Sequence, residues 1–491
     1  MPFSLDTKYD VIVVGGGNAA LCAALSAADA GAKVVVLERS PVEERGGNTS
    51  YTDGLMRTVY DGADDIRAYC PDLTDAECEV SDFGTYTEGK FFEDMGEITQ
   101  YRTDPDLCEL LVTRSRETIL WMRDQGVRFF PNFGRQAYRV EGRFKFWGGA
   151  TIAVQAGGPG LVDALYRAAE QRGVDIVYDA WVRGLVRSEA GVTGVRVALG
   201  GEEHELEAAS VVLACGGFEA NAEWRARYLG PGWDLAKVRG SRYNTGDGLQ
   251  MALDAGAQPF GHWSGCHAVS WERNAQDFGD LALTPQYQRH SYPLCVMVNR
   301  DGKRFVDEGA DFRNYTYAKY GREILAQPGS VAWQIFDATL RPMLRTEEYD
   351  MPGISVETAD SLEHLAEKIG IPVAAFTRTV AEFNDSIDRA ITFDPTIKDG
   401  RRAAVLPPKS NWSSPLETGP FYAYGVTCGI TFTFGGLKTD THGRVLREDG
   451  TGIPGLFACG EALGGLFSKN YPGGSGLTAG MVFGRRAGQL A

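Results

Sequence analysis

No run of eighteen apolar residues occurs in the chain, so no segment is built to span a bilayer as a helix. There is no C-x-x-C and no C-x-x-C-H. The nine cysteines are scattered, which excludes the usual signatures of iron–sulfur clusters, zinc sites and c-type haem. An odd count of this kind reads as reduced thiols, with Cys22, Cys215 and Cys459 in small-residue surroundings as packing residues. Histidine is scarce: there are six, all at position 204 or beyond. Positive charge is in deficit, 49 Lys and Arg against 65 Asp and Glu, for a net charge of −16. That balance argues against nucleic acid and anionic membranes as partners, and obliges an anionic substrate to find a local cluster of Arg. The opening MPFSLDTKYD has neither a basic nor an apolar leader region, so the expected location is the cytoplasm. Internal repeats and low-complexity tracts are absent.

Glycine is what the chain has in excess: 61 residues, many in clusters at the ends of short apolar runs. The first cluster is the most informative. Val11–Val14 reads as a buried parallel strand, and Gly15, Gly17 and Ala20 fit G-x-G-x-x-A. The first glycine makes the tight turn, the second admits a pyrophosphate, and the small third residue lets the helix pack on the strand. Asn18–Ala30 reads as that helix and Gly31 as its stop. Val34–Leu37 is the next strand, with Glu38 at its end to hold a ribose hydroxyl. Downstream, helices are expected at Pro105–Gln125 and Leu161–Arg172. Strands are expected at Val174–Tyr178, Val182–Val186, Val192–Val197 and Ser210–Ala214, and Tyr243–Gly256 as a turn and helix. Asp61–Glu97 is acidic without clean periodicity. From about Pro259 to Pro415 the α/β alternation fades, leaving strands at Leu294–Asn299 and Val331–Phe336 and a helical stretch Ser361–Arg389 broken near Pro372. The α/β pattern returns at Gly419. The predicted organisation is therefore a first domain in two parts, 1–257 and 418–491, interrupted by a second, 258–417.

Four features favour FAD over NAD. Arg45-Gly46-Gly47-Asn48-Thr49-Ser50 adds a glycine pair after the second strand. Cys215-Gly216-Gly217 ends another strand after a hairpin. GIPGLFACGEALGG places Glu461 beyond a short strand, where it can accept from a ribityl hydroxyl. NYPGGSGLTAG opens a helix whose N-terminus would favour the negative charge of a reduced flavin. The expected cofactor-binding set is Gly15, Gly17, Asn18, Ala19, Glu38, Arg39, Gly46, Gly47, Asn48, Thr49, Ser50, Thr52, Val182, Cys215, Gly216, Gly217, Asp247, Gly460, Glu461, Gly474, Ser475, Gly476 and Leu477, with no metal.

Together, GGGNAA, RGGNTS, ACGGF, NTGDG, RFVDE, GGL, CGEALGG and PGGSG resemble the flavoprotein subunits of fumarate reductase and succinate dehydrogenase over nearly the whole chain. Within that family, WGGAT, ADFRNYTYAKYG, TCGITFTFGGLKTD and LFSKNYPGGSGLTAGMVFGRRAG are most similar to the tricarballylate dehydrogenase branch. The resemblance implies an α/β, Rossmann-like FAD domain of mixed or parallel sheet, interrupted by an α+β capping domain. Respiratory members link FAD to a His just past the second glycine loop. Here that place holds Thr49, Ser50, Tyr51 and Thr52, so the flavin is expected to be non-covalent.

The family moves a hydride between flavin N5 and a substrate carbon while a proton moves at the neighbouring carbon. Its proton-transfer Arg follows an RF-x-x-E segment. Here Arg304-Phe305-Val306-Asp307-Glu308 is followed by Arg313, one residue further on than in the family, with Phe312 at the ungapped position. The alternative for Arg313 is an ion pair with Asp307, Glu308 or Asp311. Because Arg is a poor base, Arg313 suits the role of acid or of stabilising charge. Tyr315 and Tyr317 are the alternative bases, and Tyr471 completes the catalytic set. Where fumarate reductases hold a substrate carboxylate with His and Arg, this chain has Phe432 and Tyr471, which argues against plain fumarate or succinate. Ketosteroid dehydrogenases share a Tyr before Pro-Gly, but keep a catalytic Tyr where this chain has Phe312. Candidate substrate contacts are Arg57, Arg139, Arg289, His290 and Phe432, with Arg135, Arg143, Gln155, His262 and His267 as further possibilities. The expected function is desaturation of a tricarballylate-like carboxylate. An ene-reductase, a ketosteroid-type dehydrogenase and a flavin-holding electron carrier are the alternatives. No second strand–G-x-G-x-x-G–helix unit exists, so electrons are expected to leave to a separate partner or acceptor.

Overall fold

The computed structural model describes residues 8–146, 148–283 and 286–491; Met1–Thr7 and Trp147 of the WGGAT segment lie outside them. The chain forms two compact units. The first comprises Met1–Leu229, Gly240–Cys266 and Phe432–Ala491, and the second Gly230–Arg239 and His267–Thr431. Composition changes at 257/258 and 417/418, but the units change later. The strands Pro259–Glu272 and Phe421–Leu437 run through both points, so composition marks where a strand begins and not where its contacts change.

The first unit has the mixed α/β architecture that the sequence predicts. Its sheet runs Asp175–Val177, Val34–Leu37, Tyr9–Val14 and Glu202–Leu213, all parallel, with Gly452–Ala458 also parallel on the last. Val34–Leu37 is buried at every position, as a parallel strand covered on both faces must be. Glu202–Leu213 changes character midway. Its first half alternates exposed and buried and pairs antiparallel with Gly191–Leu199. Its second half is almost wholly buried and pairs with Tyr9–Val14 on one side and Gly452–Ala458 on the other.

The first helix, Asn18–Asp29, packs against the C-terminal helix, Ser475–Gly488. Glycines at 480, 484 and 488 share one face of the latter. A Cβ on Gly484 would lie 2.3 Å from the Ala19 carbonyl oxygen, and one on Gly488 2.0 Å from that of Ala23. The backbones touch because nothing stands between them. Gly484→Ala is expected to cost about 1–3 kcal/mol by overpacking, read from denaturant unfolding of the FAD-saturated protein. An unchanged midpoint would mean that the helices part without penalty.

The acidic stretch that reads as irregular contains the helices Ala63–Tyr69, Asp75–Glu79 and Glu88–Ile98. They are short and amphipathic over too few turns to show a period. A local signal was present: Thr74 and Glu77 form a reciprocal capping box.

The second unit is built on Phe421–Leu437, which pairs with Lys237–Val238, Ala332–Phe336 and Val356–Ala359; Val296–Asn299 adds to Ala332–Phe336. Leu362–Ile369 and Val373–Asp385 break where Gly370 turns left-handed ahead of Pro372. They lay Leu365, Phe376, Val380 and Phe383 on Val298, Trp333 and Ile335. At one margin Arg304 and Glu308 form a buried ion pair at 2.5 Å, and Glu308 also accepts from the Met297 N–H at 2.8 Å.

Candidate active site

Two helix N-termini of the first unit, at Asn18 and Ser475, follow a glycine and have no side-chain cap. At the first, Gly17 caps the helix with no side-chain bond, and only the Asn18 N–H finds a hydroxyl, Thr49 Oγ1 at 3.1 Å. A Cβ on Gly17 would meet nothing nearer than the Gly46 carbonyl at 3.5 Å, so the turn encloses an open cradle. At the second, Gly474 sits in the left-handed region ahead of Ser475. Uncapped N–H groups and positive dipole ends suit a diphosphate and an electron-rich ring. Asn18 Nδ2 donates to the Leu477 carbonyl at 2.8 Å and ties the two starts together.

Glu38 lies at the end of its strand, 5% exposed, accepting from the Ser40 N–H at 2.8 Å. Burial pushes its carboxyl above the usual range, partly offset by donors from Ser40, Gly16 and Arg39. The buried Tyr166 hydroxyl has no hydrogen-bond partner among the described residues, and a Cβ on Gly16 would strike both it and Glu38. An orphaned donor beside an acid is what a polyhydroxylated ligand would satisfy. Arg39 and Asp247, both expected at the cofactor, bind each other at 2.8 Å, with Arg39 stacked 4.2 Å over the Trp181 ring. Val182 and Cys215 are buried or half-buried at strand ends nearby.

The second glycine loop is a 3-10 turn, Gly47–Tyr51, entered by left-handed Gly46. Its hydroxyls serve the loop: Ser50 Oγ donates to the Arg45 carbonyl and Thr52 Oγ1 to that of Thr49. Asn48 reaches outward. Its Nδ2 donates to Glu219 Oε1 at 2.6 Å, and its Oδ1 accepts from the Ser241 N–H at 2.8 Å. Asn244 Nδ2 donates to the same Glu219 oxygen at 2.6 Å.

Glu219 was not legible as a site residue. It follows ACGGF directly, is fully buried, and interacts with the Glu461 carboxyl. Two neighbouring buried carboxyls resist ionising together, which favours a proton retained by the pair. Glu461 accepts from the Thr433 N–H at 2.7 Å and Oγ1 at 3.1 Å, so it joins two loops of the first unit. Burial and the neighbouring Glu219 hold Glu461 well above the usual carboxylate range. A Cβ on Gly217 would lie 2.1 Å from Glu461 Oε1 and 2.2 Å from Thr433 Oγ1. Only glycine fits there.

The expected substrate contacts divide. Arg57, in the first unit, is fully buried and bonded to Asp94 at 2.9 Å, Tyr86 at 2.7 Å and the Gly473 carbonyl at 2.8 Å. Arg139 and Gln155 are exposed, Arg135 is paired with Asp53, and Arg143 donates to the Ser81 carbonyl. His262 accepts from the Lys469 N–H at 3.0 Å. Phe432 and Tyr471 do come together, edge to face at 5.0 Å, with Phe467 at 5.5 Å from Tyr471. A Cβ on Gly476, at the start of the C-terminal helix, would have only these two rings within 4 Å.

In the second unit Arg289 is held by Glu272 at 2.6 Å and by the Gln286 and Gln288 carbonyls. Arg313 begins a short helix, Arg313–Thr316, that also carries Tyr315; both side chains are half-buried, as is Tyr317. The acids considered as its partners are engaged elsewhere: Asp307 by Ser410 and the Gly309 N–H, Glu308 by Arg304, and Asp311 by Lys398. Tyr317 meets both His267 and His290 edge to face, its ring 4.9 and 5.6 Å from theirs. Among the described residues no group of acids, histidines and cysteines could hold a metal ion, and no helix is long and apolar enough to cross a membrane.

Residues 10–477 match the family described as an FAD binding domain. The chain is 30% identical over 485 residues to a fumarate reductase (cytochrome) of Shewanella frigidimarina, covering 98% of this chain and 76% of that protein. It is also 30% identical to 4-oxocyclohexanecarboxylate 2-dehydrogenase of Sinomonas cyclohexanicum, over 99% of this chain and 94% of that one. The open conformation of a flavocytochrome c3 fumarate reductase superposes with a TM-score of 0.72 at 27% identity, covering 99% of this chain and 78% of that one. With its open phosphate cradle, orphaned Tyr166 hydroxyl and uncapped helix starts, the first unit fits the FAD that these relatives imply, and the chain belongs to the FAD-binding fumarate reductase and succinate dehydrogenase flavoprotein family, as an oxidoreductase acting on CH–CH bonds.

Proposed function

We propose that this protein desaturates a carboxylate substrate larger than succinate, of the tricarballylate class, to the corresponding alkene. The observation that carries the reading is the wall made by Phe432 and Tyr471, in edge contact at 5.0 Å. An aromatic ring cannot neutralise a carboxylate, and a phenol supplies one donor without charge. A small dicarboxylate would lose an anchor there, whereas a larger acid can rest its carbon skeleton on the rings. Bound FAD supplies the two-electron oxidising equivalent. The chain's own part is to orient the substrate, exclude water and manage one proton. Tyr471 Oη donates to a substrate oxygen, and the Arg313 guanidinium stabilises the charge that builds as the carbon-bound proton leaves. The nucleotide rests on Gly15–Ala19, Glu38 and the Gly46–Thr52 loop, and the reacting end on Gly460, Glu461 and Gly474–Leu477. In this reading the flavin is non-covalent and electrons leave to a separate redox protein or acceptor.

The same wall favours a second reading. A ring-bearing oxo-carboxylate, such as the substrate named for the Sinomonas relative, would stack on Phe432 and Phe467 and take the Tyr471 hydrogen bond at its oxo group. Anaerobic mixing of the yellow protein with tricarballylate, succinate, 4-oxocyclohexanecarboxylate and a 3-ketosteroid separates the two. Bleaching of the oxidised flavin band by tricarballylate is the expected result. Bleaching by the cyclic acid alone would install the second reading. Bleaching by none, with dithionite-reduced protein rapidly reoxidised by an unsaturated acid, would make it a reductase.

A further inference from the structure

One buried arginine of the first unit is built into the turn that opens the C-terminal helix. Arg57 follows the short strand Leu55–Met56, which pairs with Ile152 and Ala153. Its Nε donates to the Gly473 carbonyl at 2.8 Å, and its backbone N–H to the Gly474 carbonyl at 3.1 Å. Its own carbonyl accepts from Thr478 Oγ1 at 2.8 Å, within the first turn of the helix. The turn also closes on itself. The Pro472 carbonyl accepts from the Ser475 N–H at 3.1 Å and from Ser475 Oγ at 2.6 Å.

These bonds decide which way the turn faces. A trans peptide sets its C=O and N–H on opposite sides. The Gly473–Gly474 peptide is trans and its carbonyl points at Arg57, so the Gly474 N–H points away from Arg57. Gly474 is left-handed at φ 87°, and a Cβ there would lie 3.1 Å from the Arg57 nitrogen. The guanidinium is fixed in turn from its other edge. Nη1 donates to Asp94 at 2.9 Å and to Tyr86 at 2.7 Å, and the Tyr86 hydroxyl donates to Asp94 at 2.6 Å. Lys90 lies 3.5 Å from Asp94. A Cβ on Gly149 would stand 2.3 Å from Nη1, so the glycine after Gly148 makes room for the charge.

We infer that Arg57 is a positioning residue for the flavin: it aims the Gly474 N–H at the ring, sets a buried positive charge behind the helix start, and so raises the reduction potential of bound FAD. This rests on the placement of the ring at Gly474–Leu477 proposed above. Arg57 and Asp94 together form a dipole whose positive end abuts the turn. The helix start adds partial charge of the same sign. When the flavin takes a hydride from substrate, its added negative charge meets donors already in place, in surroundings of low dielectric. The arginine that the sequence offers as a substrate contact thus serves the cofactor.

The test uses the FAD-loaded protein and reads the midpoint potential by dye equilibration, with FAD affinity and melting temperature alongside. Arg57→Gln should lower the potential by about 30 mV, which is a tenfold weaker hold on reduced than on oxidised FAD. Asp94→Asn keeps the shape, removes the counter-charge and should raise the potential by a similar amount. A merely structural role would move both variants the same way or neither. If Arg57→Gln does not fold, Arg57→Lys takes its place; it keeps the charge, loses the Nε bond and should lower the same ratio at least about threefold. Gly476→Ala checks the placement of the ring, because its methyl group would have only Tyr471 and Phe432 nearby, at 3.7 Å or more. A shifted flavin band in Gly476→Ala, with the Arg57 and Asp94 variants within twofold of wild type in that ratio, overturns the inference alone. An unshifted band and potential in all of them places the ring elsewhere and sinks the placement and the inference together.

Discussion

Arg313→Ala is expected to slow flavin reduction by about 10²–10³-fold, the usual cost of removing a charge aimed at a developing anion. The loss should fall on kcat more than on KM, because the interaction grows as the proton leaves. FAD content should not change, since Arg313 belongs to the second unit and the nucleotide-binding loops to the first. Arg313→Lys keeps the charge and loses the planar fork, so it should recover part of the rate. Stopped-flow reduction of the two variants checks this. A rate for Arg313→Ala within threefold of wild type would remove the residue from the chemistry.

The Glu219–Glu461 pair gives the second large effect, on stability. Both carboxyls are raised by burial in the folded protein, so the native state binds more protons than the unfolded chain. The pair's contribution is therefore fully present below the ordinary glutamate value of about 4.3 and is lost as pH rises towards the folded value, at up to about 1.4 kcal/mol per pH unit for one retained proton. Glu461→Gln keeps a permanent donor towards Glu219 and removes this loss. Thermal unfolding at fixed excess FAD should show wild type and Glu461→Gln converging at low pH and the variant melting higher at alkaline pH. Glu461→Ala leaves a buried carboxylate with one donor fewer and should cost about 3 kcal/mol. Parallel pH curves for wild type and Glu461→Gln would falsify the shared proton.

What the sequence discloses about the site is what can be read within one turn or one strand end. Gly15, Gly17, Glu38 and Gly46 each occupy a turn or strand end that a local motif marks. Glu219, Asn244 and Thr433 act through partners that are close only after folding. Glu219 meets Asn48 across 171 positions, and no periodicity encodes that. The cation candidates show the same limit from the other side: Arg57 and Arg289 bond acids, Asp94 and Glu272, that lie 37 and 17 residues away, and no local pattern pairs them. The long strands Pro259–Glu272 and Phe421–Leu437 escaped notice because they are buried on both faces over long stretches, with aromatic and small residues mixed, and so lack the alternation of a half-exposed strand.

The contact of Gly480, Gly484 and Gly488 with Asn18, Ala19 and Ala23 also works as a gauge. The contacts climb both helices in the same sense, so the two helices run parallel and their positive ends point the same way. Ser475 starts five residues before Gly480, which sets the second end ahead of the first by about 7 Å at 1.5 Å per residue. That stagger is set by backbone against backbone at Gly484 and Gly488, and by the Asn18 side-chain amide bonded to the Leu477 carbonyl. In the binding mode proposed above, phosphate grip and ring electrostatics are therefore calibrated together: a change that slides one helix detunes both.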